Sequence, residues 1–539
     1  MNQRQYNIEA LQKESFDVLI VGGGINGAVS AAILASRGVK VGLIDSRDFA
    51  GFTSQHSSNL VWGGIKYMET YEFGLVNKLC KSRNELLKSF PSTVKEIRFL
   101  STLSQKNRIP PWLMFTGTWL YWFFGRGKTR TPKLYSPRQI QIIEPLINVQ
   151  DSRGGVEYSD AYLHDNDARF VFNFVRQAMD EGCFAANYVA SIKGSYERGL
   201  WVTQAEDQVS GERFTIHSRI LINAAGPYVD TLNDIAGVAT EHQHLFSRGI
   251  HLIVPRISLK NRVLAFFADD GRLFFAIPMA NRTCVGTTDT IVKQPETEVT
   301  REDRDFVLSN INARLDLGVP LEEKDIIAER CGVRPLVVTK GEKTKDDFMK
   351  MSRKHIIETI KDKKHISIFG GKLTDCLNVG EEICEQVASL GISLTIGRKK
   401  WYGEPGNDIK AAYYKQANRL GLMQVVAPDT GERLSDRLWR RYGRQAIPML
   451  DLIECDKSMR EPLIAGTGIS RCELDYIIKN EMIVTLEDYL KRRSKLAYLV
   501  PHEELKEMQG LRETCNKLFG ENAQARFDEY FSCNDSQGM

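Results

Sequence analysis

Residues Asp17–Asp45 read DVLIVGGGINGAVSAAILASRGVKVGLID. The apolar run from Phe16 to Val21 has the length and unbroken hydrophobicity of a buried parallel strand. Gly22, Gly24 and Gly27 then supply the G-x-G-x-x-G spacing directly ahead of a helix of small residues. In that arrangement the first glycine permits the tight turn, the second lets the backbone approach a pyrophosphate, and the third lets helix and strand pack closely. The helix N-terminus presents free N–H groups to the anion. Val39–Ile44 supplies a second strand that ends at Asp45, about 20 residues on, where a ribose-binding acid belongs. The glycine spacing alone is a weak signal, but strand, glycines, helix, strand and acid in register predict a dinucleotide-binding α/β domain.

Which dinucleotide is bound turns on the residues after Asp45. A nicotinamide enzyme is expected to continue its βαβ winding soon. This chain instead enters FAGFTSQHSSNLVWGGIKYMET (Phe49–Thr70), rich in Ser and Gly and poor in helical periodicity. Small residues there let the backbone lie against a large flat ring. Much later HISIFGGKLTDCLNVGEEICEQVASL (His365–Leu390) reads as strand, Gly-Gly turn and helix, whose N-terminus can face a ring carbonyl and a ribityl chain. The pairing of the two segments favours FAD.

With 539 residues, 42% hydrophobic and 26% charged, the chain is expected to form two or three domains of an ordinary soluble protein. A formal net charge of +4 is small for this length and argues against nucleic acid as a partner. Met1–Ser15 has no apolar core or cleavage site of a secretory signal. The ten cysteines never form a C-x-x-C pair, which points to free thiols in the cytoplasm and to no metal site. The apolar stretch from Trp112 to Phe124 is shorter than the ~20 residues of a spanning helix. It reads either as a segment buried against another domain or, with Lys106, Arg108, Arg126, Lys128, Arg130 and Lys133 around it, as a peripheral membrane contact over 110–133. Runs such as HLIVP, RLFFAIPM and TCVGTTD alternate as antiparallel strands do, and after Lys399 the pattern turns helical and charged.

The chain resembles the FAD-dependent glycerol-3-phosphate dehydrogenases and oxidases. The resemblance is carried, in order, by IVGGGINGA, TSQHSSNLVWGGIKYME, GGVEYSDAYLHDNDARFV, LINAAGPYVD, GIHLIVP, VGTTDT, CGVRPL, MSRKHII and FGGKLTD, and more loosely by LWRRYG and CELDYIIKNEMIVTLEDYLKRRSKL. It implies an FAD-binding, Rossmann-like domain of the glutathione-reductase type (14–75, 151–235 and 356–398), a mixed-sheet substrate domain (76–150 and 236–355) and a C-terminal helical domain (399–539). It implies oxidation of a small phosphorylated polyol, with electrons passed to quinone or oxygen. The aromatic and basic stretch tilts that choice to quinone, with the protein peripheral on the cytoplasmic face of the inner membrane; a homodimer stays open. His251 in GIHLIVP is the expected base, since imidazole titrates near neutrality, with His56, His164 and His355 as weaker rivals. Arg334 in CGVRPL is expected to face the developing alkoxide. The resemblance places Lys66, Tyr67, Arg353 and Lys372 around the substrate phosphate. Around the cofactor it places Gly22, Gly24, Gly27, Asp45, Thr53, Ser54, Ser58, Gly63, Gly64, Gly226, Gly371, Lys372 and Thr374. The basic segment Thr339–His355 also reads as a mobile lid.

Four positions depart from the family pattern. Lys66 stands in an arginine position and lacks the bidentate fork, Trp62 replaces a histidine, Asp375 brings a negative charge near the expected pocket, and Lys354 follows Arg353 where an acid is usual. Three readings therefore stand: a glycerol-3-phosphate dehydrogenase, a related flavin enzyme of another hydroxy or amino compound, and a flavin-binding module without turnover.

Overall fold

The computed structural model describes residues 2–105, 109–268, 270–295, 298–341, 354–395 and 400–535. At its centre Ser15–Val21 lies between Val41–Ile44 and Arg213–Asn223, parallel to both. The sheet continues through Phe184–Ala186 on one side and His365–Phe369 on the other, again parallel, and Ile356–Ile360 closes that edge antiparallel. A hairpin, Val189–Glu197 with Leu200–Asp207, extends from Arg213–Asn223. The two distant stretches, LINAAG and HISIFGG, thus become neighbouring strands beside the glycine turn.

The helix Ile25–Ser36 is almost wholly buried and packs against the helices Asp167–Asp180 and Cys376–Ser389. Its sequence, INGAVSAAILAS, explains this, because small side chains let three helices approach one sheet face. Two contacts require glycine. A Cβ on Gly22 would lie 2.4 Å from the carbonyl oxygen of Ala224, and one on Gly27 would lie 1.8 Å from the carbonyl oxygen of Gly22.

A second sheet of ten strands stands beside the first. Its long central strand, His242–Pro255, pairs antiparallel with Ala328–Thr339 on one side and with Arg282–Gly286 and Thr290–Val292 on the other. Leu273–Met279, Arg262–Phe267, Val94–Ser104 and Ser152–Leu163 follow in order. Ser152–Leu163 lies within the segment expected in the cofactor domain, yet it pairs with Val94–Ser104 over its whole length, and the chain returns to the first sheet only with the helix after it.

Residues 400–535 form helices. They dock through buried ion pairs as well as apolar contact. Asp48, fully buried, accepts Arg493 Nη1 and Nη2 at 2.9 Å, Arg492 Nε at 2.7 Å and Asn187 Nδ2 at 2.9 Å. Arg169 donates to Glu481 at 2.6 and 3.0 Å. The cysteines whose surroundings are described are free thiols, and no helix among the described residues is long and apolar enough to cross a membrane.

Burial raises the Asp48 carboxyl, but Arg493 and Arg492 outweigh it and hold the group below the usual aspartate value. Its contribution to stability is complete above about pH 4 and is lost as the pH falls through the lowered value. Replacing Asp48 with Asn leaves two buried guanidinium groups short of a counter-charge and is expected to cost about 3–5 kcal/mol, read as a lowered midpoint in urea unfolding at neutral pH.

Candidate active site

The glycine turn, the ends of the parallel strands and the late Gly-Gly turn enclose a cleft of about 1130 Å³, part of it open to solvent. Gly22 and Gly24 line one wall, Asp45 and Gly51–Ser54 a second, and Ala224–Tyr228 and Gly370–Gly371 the rest. Gly24 caps the helix without a side chain, so the first-turn N–H groups stay directed at the cleft. Ser54 Oγ takes one of them, from Ile25 N, at 3.0 Å. Asp45 stands at the end of its strand, accepting Gly23 N at 2.6 Å and Arg47 N at 2.9 Å. Burial, partly offset by those two donors, pushes its carboxyl up to about 7.

The cleft suits a long dinucleotide. Besides the helix N-terminus and the strand-end carboxylate, Asn26 donates Nδ2 to the Gly370 carbonyl at 3.0 Å. Its Oδ1 is buried without a partner among the described residues, which leaves an acceptor for a ribityl or ribose hydroxyl. Asn26 joins the first glycine turn to the last, 344 residues away. The sequence reading missed it, and its only signal is a polar residue inside the glycine fingerprint.

Of the other expected cofactor residues, Gly226 and Gly371 line the cleft. Thr53 Oγ1 donates to the Val333 carbonyl at 2.7 Å and so ties the cleft wall to the second sheet. Thr374 is buried behind the turn. Ser58, Gly63 and Gly64 do not line this cleft: Ser58 lines a separate cavity, and the Gly63 amide is taken by Asp160 at 3.1 Å. Gly64 makes the left-handed turn under the Tyr67 ring.

Above the cleft, strand alternation places Ser247, Gly249 and His251 on one face of the second sheet. Their cross-strand partners Arg334, Gly332 and Arg330 lie on the same face. The paired glycines make room: a Cβ on Gly249 would lie 2.0 Å from Arg334 Nη2, so the guanidinium rests on the strand itself. Thr287 Oγ1 accepts Arg334 Nη2 at 2.9 Å, and the Thr288 carbonyl and Asp289 Oδ1 each accept Nη1 at 3.2 Å. The motif VGTTDT is thus the clamp for Arg334.

His251 is buried, and neither ring nitrogen has a hydrogen-bond partner among the described residues. Burial first, then the fields of Arg330 and Arg334, lower it to about 3, so the imidazole is neutral in the free protein. Trp62 packs on Tyr67 and Phe275, with ring centroids 6.5 Å apart in each pair, and Phe275 pairs with Gly286, the cross-strand partner of His251. Lys372 Nζ bonds Tyr67 Oη and lies 3.8 Å from the centre of the Tyr67 ring. Lys66 is half-buried on the same short turn as Tyr67. Arg353 and most of the basic segment expected to form a lid lie outside the described residues.

Asp375 does not present a free negative charge to this face. His355 Nδ1 lies 2.9 Å from its carboxylate and Lys78 Nζ 3.6 Å away, and Asn378 donates to it. Burial lowers His355, but Asp375 and Glu382 outweigh it and raise the imidazole above its ordinary value. His56 is half-buried against Gly332, and desolvation holds its imidazole well below the ordinary value.

The family described as FAD dependent oxidoreductase matches residues 17–356, and the C-terminal domain of alpha-glycerophosphate oxidase matches residues 404–526. The chain belongs to the FAD-dependent oxidoreductases. It is 31% identical to a glycerol-3-phosphate dehydrogenase of Pseudomonas aeruginosa, covering 92% of this chain and 94% of that one. It is 27% identical to the aerobic glycerol-3-phosphate dehydrogenase of Staphylococcus aureus, covering 92% and 89%. The solved glycerol-3-phosphate dehydrogenase of Bacillus halodurans, complexed with FAD, superposes with a TM-score of 0.75 at 25% identity, covering 99% of this chain and 97% of that one.

The glycine contacts predict two different failures. Gly27→Ala drives a methyl into the backbone of Gly22 and is expected to abolish soluble expression and flavin retention together. Gly24→Ala meets only Ser54 Oγ, at 3.2 Å. It is expected to keep the parent melting temperature while weakening FAD binding roughly tenfold, about 1.4 kcal/mol, measured by fluorescence titration of the stripped protein.

Proposed function

We propose that the protein oxidises sn-glycerol 3-phosphate at C2 to dihydroxyacetone phosphate and passes the electrons to a membrane quinone. The observation that carries this reading is the buried imidazole of His251, without a partner among the described residues, on the same sheet face as Arg334. FAD, when bound, accepts the hydride. His251 takes the hydroxyl proton as a neutral base, and Arg334 stabilises the oxygen on which negative charge grows. Lys66, Tyr67, Lys372 and Arg353 hold the phosphate, so that binding energy far from C2 orients the reacting carbon. The relatives named for glycerol 3-phosphate support the substrate, and the neutralised Asp375 removes the repulsion that its sequence position suggested.

Trp62 beside Tyr67 and Lys66 in place of arginine favour a second reading, a hydroxy compound of different shape on the same machinery. The two are separated by anaerobic addition of glycerol 3-phosphate, glycerol, and other hydroxy and amino acids to the purified flavoprotein. Bleaching of the flavin by the phosphate ester alone supports the first reading, and bleaching by another compound in its place overturns it. His251→Ala is expected to slow flavin reduction by about 10²–10⁴-fold. Because His251 in the free protein lies near 3, kcat/KM is expected to show no imidazole ionisation across about pH 5–8. A profile rising with a midpoint near 6.5 that disappears in His251→Ala would refute the assigned protonation state.

Quinone as acceptor draws support from the helix Pro111–Phe124, only Thr118 and Tyr121 of which are buried. Tyr121 Oη donates to Asp160 at 2.6 Å and anchors the helix, while Trp112 is 63% and Phe123 74% exposed. The expectation that this stretch is buried against another domain therefore fails. Arg126, Lys128, Arg130 and Lys133 are exposed close by, as suits an anionic headgroup layer. Trp112→Ser combined with Phe123→Ser is expected to reduce co-sedimentation with phosphatidylglycerol vesicles several-fold, with flavin content unchanged; undiminished sedimentation counts against this helix as the membrane contact.

A further inference from the structure

A second cavity, of about 1140 Å³ and partly open, lies between the second sheet and the C-terminal helices and shares no lining residue with the dinucleotide cleft. Its wall is rich in cations that are unequally compensated. Arg440 is fully engaged, with Nη1 on Asp165 at 2.5 Å and Nη2 on Glu432 at 2.7 Å. Arg437, three residues earlier on the same helix, uses Nε on Glu473, while its Nη2 is buried without a partner among the described residues.

Lys495 is compensated only at longer range, by Asp165 and Asp167. It is 6% exposed, and its Nζ donates to one acceptor, the Asp165 carbonyl, at 2.8 Å. Among the described residues no carboxylate lies within 4 Å of it. Its backbone holds φ at 72°, a left-handed conformation that costs a non-glycine residue energy and recurs at ligand sites. Burial lowers its ammonium to about 8, which still leaves most of it charged at neutral pH. The cavity wall also carries Ser58, Asn261 and Asp429, the last with a buried Oδ1 that has no partner among the described residues.

We propose that this cavity is a second ligand site, for a phosphate monoester of a small hydroxylated compound, with Lys495 Nζ and Arg437 Nη2 on the phosphate and Asp429 on a hydroxyl. The anion supplies the charge that Lys495 lacks, and an ammonium point charge beside a free guanidinium edge is suited to phosphate. Arg330 also lines the cavity and is the cross-strand neighbour of His251, so occupancy reaches the catalytic face through a residue common to both. The inference does not depend on the substrate assigned above.

The test uses the holoprotein and pyridoxal 5′-phosphate, a phosphate monoester whose aldehyde condenses with a nearby lysine. After borohydride reduction and peptide mapping, Lys495 is expected among the modified lysines, with 3-phosphoglycerate lowering its modification at least tenfold. Because that compound can also enter the catalytic site, the protection is repeated in Lys372→Met, where it is expected to persist. Calorimetry on the Lys372→Met background is expected to show 3-phosphoglycerate binding that weakens at least tenfold on adding Lys495→Met, with the flavin spectrum unchanged. Lys495 left unmodified, or modified without protection in either background, overturns the proposal. So does binding indifferent to Lys495→Met.

Discussion

The ion pair between Arg330 and Asp167 joins the parts of this molecule that must act together. Arg330 projects from a strand of the second sheet, and Asp167 stands at the start of a helix packed on the first. Both are buried, and both carboxylate oxygens accept Arg330 Nη2 at 2.9 Å. The same guanidinium reaches Asn59 and the Gln55 carbonyl in the loop between the two sheets, and it lies over the ring of Tyr498 from the C-terminal helices. One side chain thus sets the height of the sheet bearing His251 over the cleft wall bearing Thr53 and Ser54. Removing either member would strand a buried charge, a far larger loss than that of an exposed pair.

The C-terminal helices repeat this mode of attachment. Asp48 lies just before Ala50 and Gly51 of the cleft wall and is held by Arg492 and Arg493. Asp165 and Asp167 flank Asn166, and the first takes Arg440 from the C-terminal helices while the second takes Arg330. Apolar packing alone tolerates sliding, because its energy changes little with small displacements, whereas buried charges are satisfied in few geometries. The cavity containing Lys495 opens beside this network, at the place where cations exceed the acids that pair with them.

At the face bearing His251 the same field has a chemical consequence. Burial first, and then the fields of the permanent cations Arg330 and Arg334, keep His251 neutral. In the proposed function, a phosphorylated substrate brings negative charge to this face, and its arrival makes proton acceptance by the imidazole easier. Under that proposal, selectivity for an anion and activation of the base share one electrostatic origin.

The dinucleotide turn, the late Gly-Gly turn, the antiparallel runs and the helical C-terminal part were legible in the chain because each is a local pattern: glycine spacing, strand alternation, helical periodicity. His251 and Arg334 were marked by family motifs, and the alternation of paired strands puts them on one face. The burial of Asp160 beneath Gly63, the neutralisation of Asp375 by His355 and Lys78, and the role of Asn26 between two glycine turns were not legible. Each depends on residues far apart in sequence whose charges or amides meet only after the sheets have packed. Composition marked the aromatic helix 111–124 as either buried or membrane-facing, and packing removes the buried reading, since Tyr121 satisfies Asp160 and leaves Trp112 and Phe123 exposed. Local periodicity determined the elements and the cofactor turn by itself. The tertiary structure decided which charges are compensated, because electrostatic energy depends on distances through space that sequence separation does not encode.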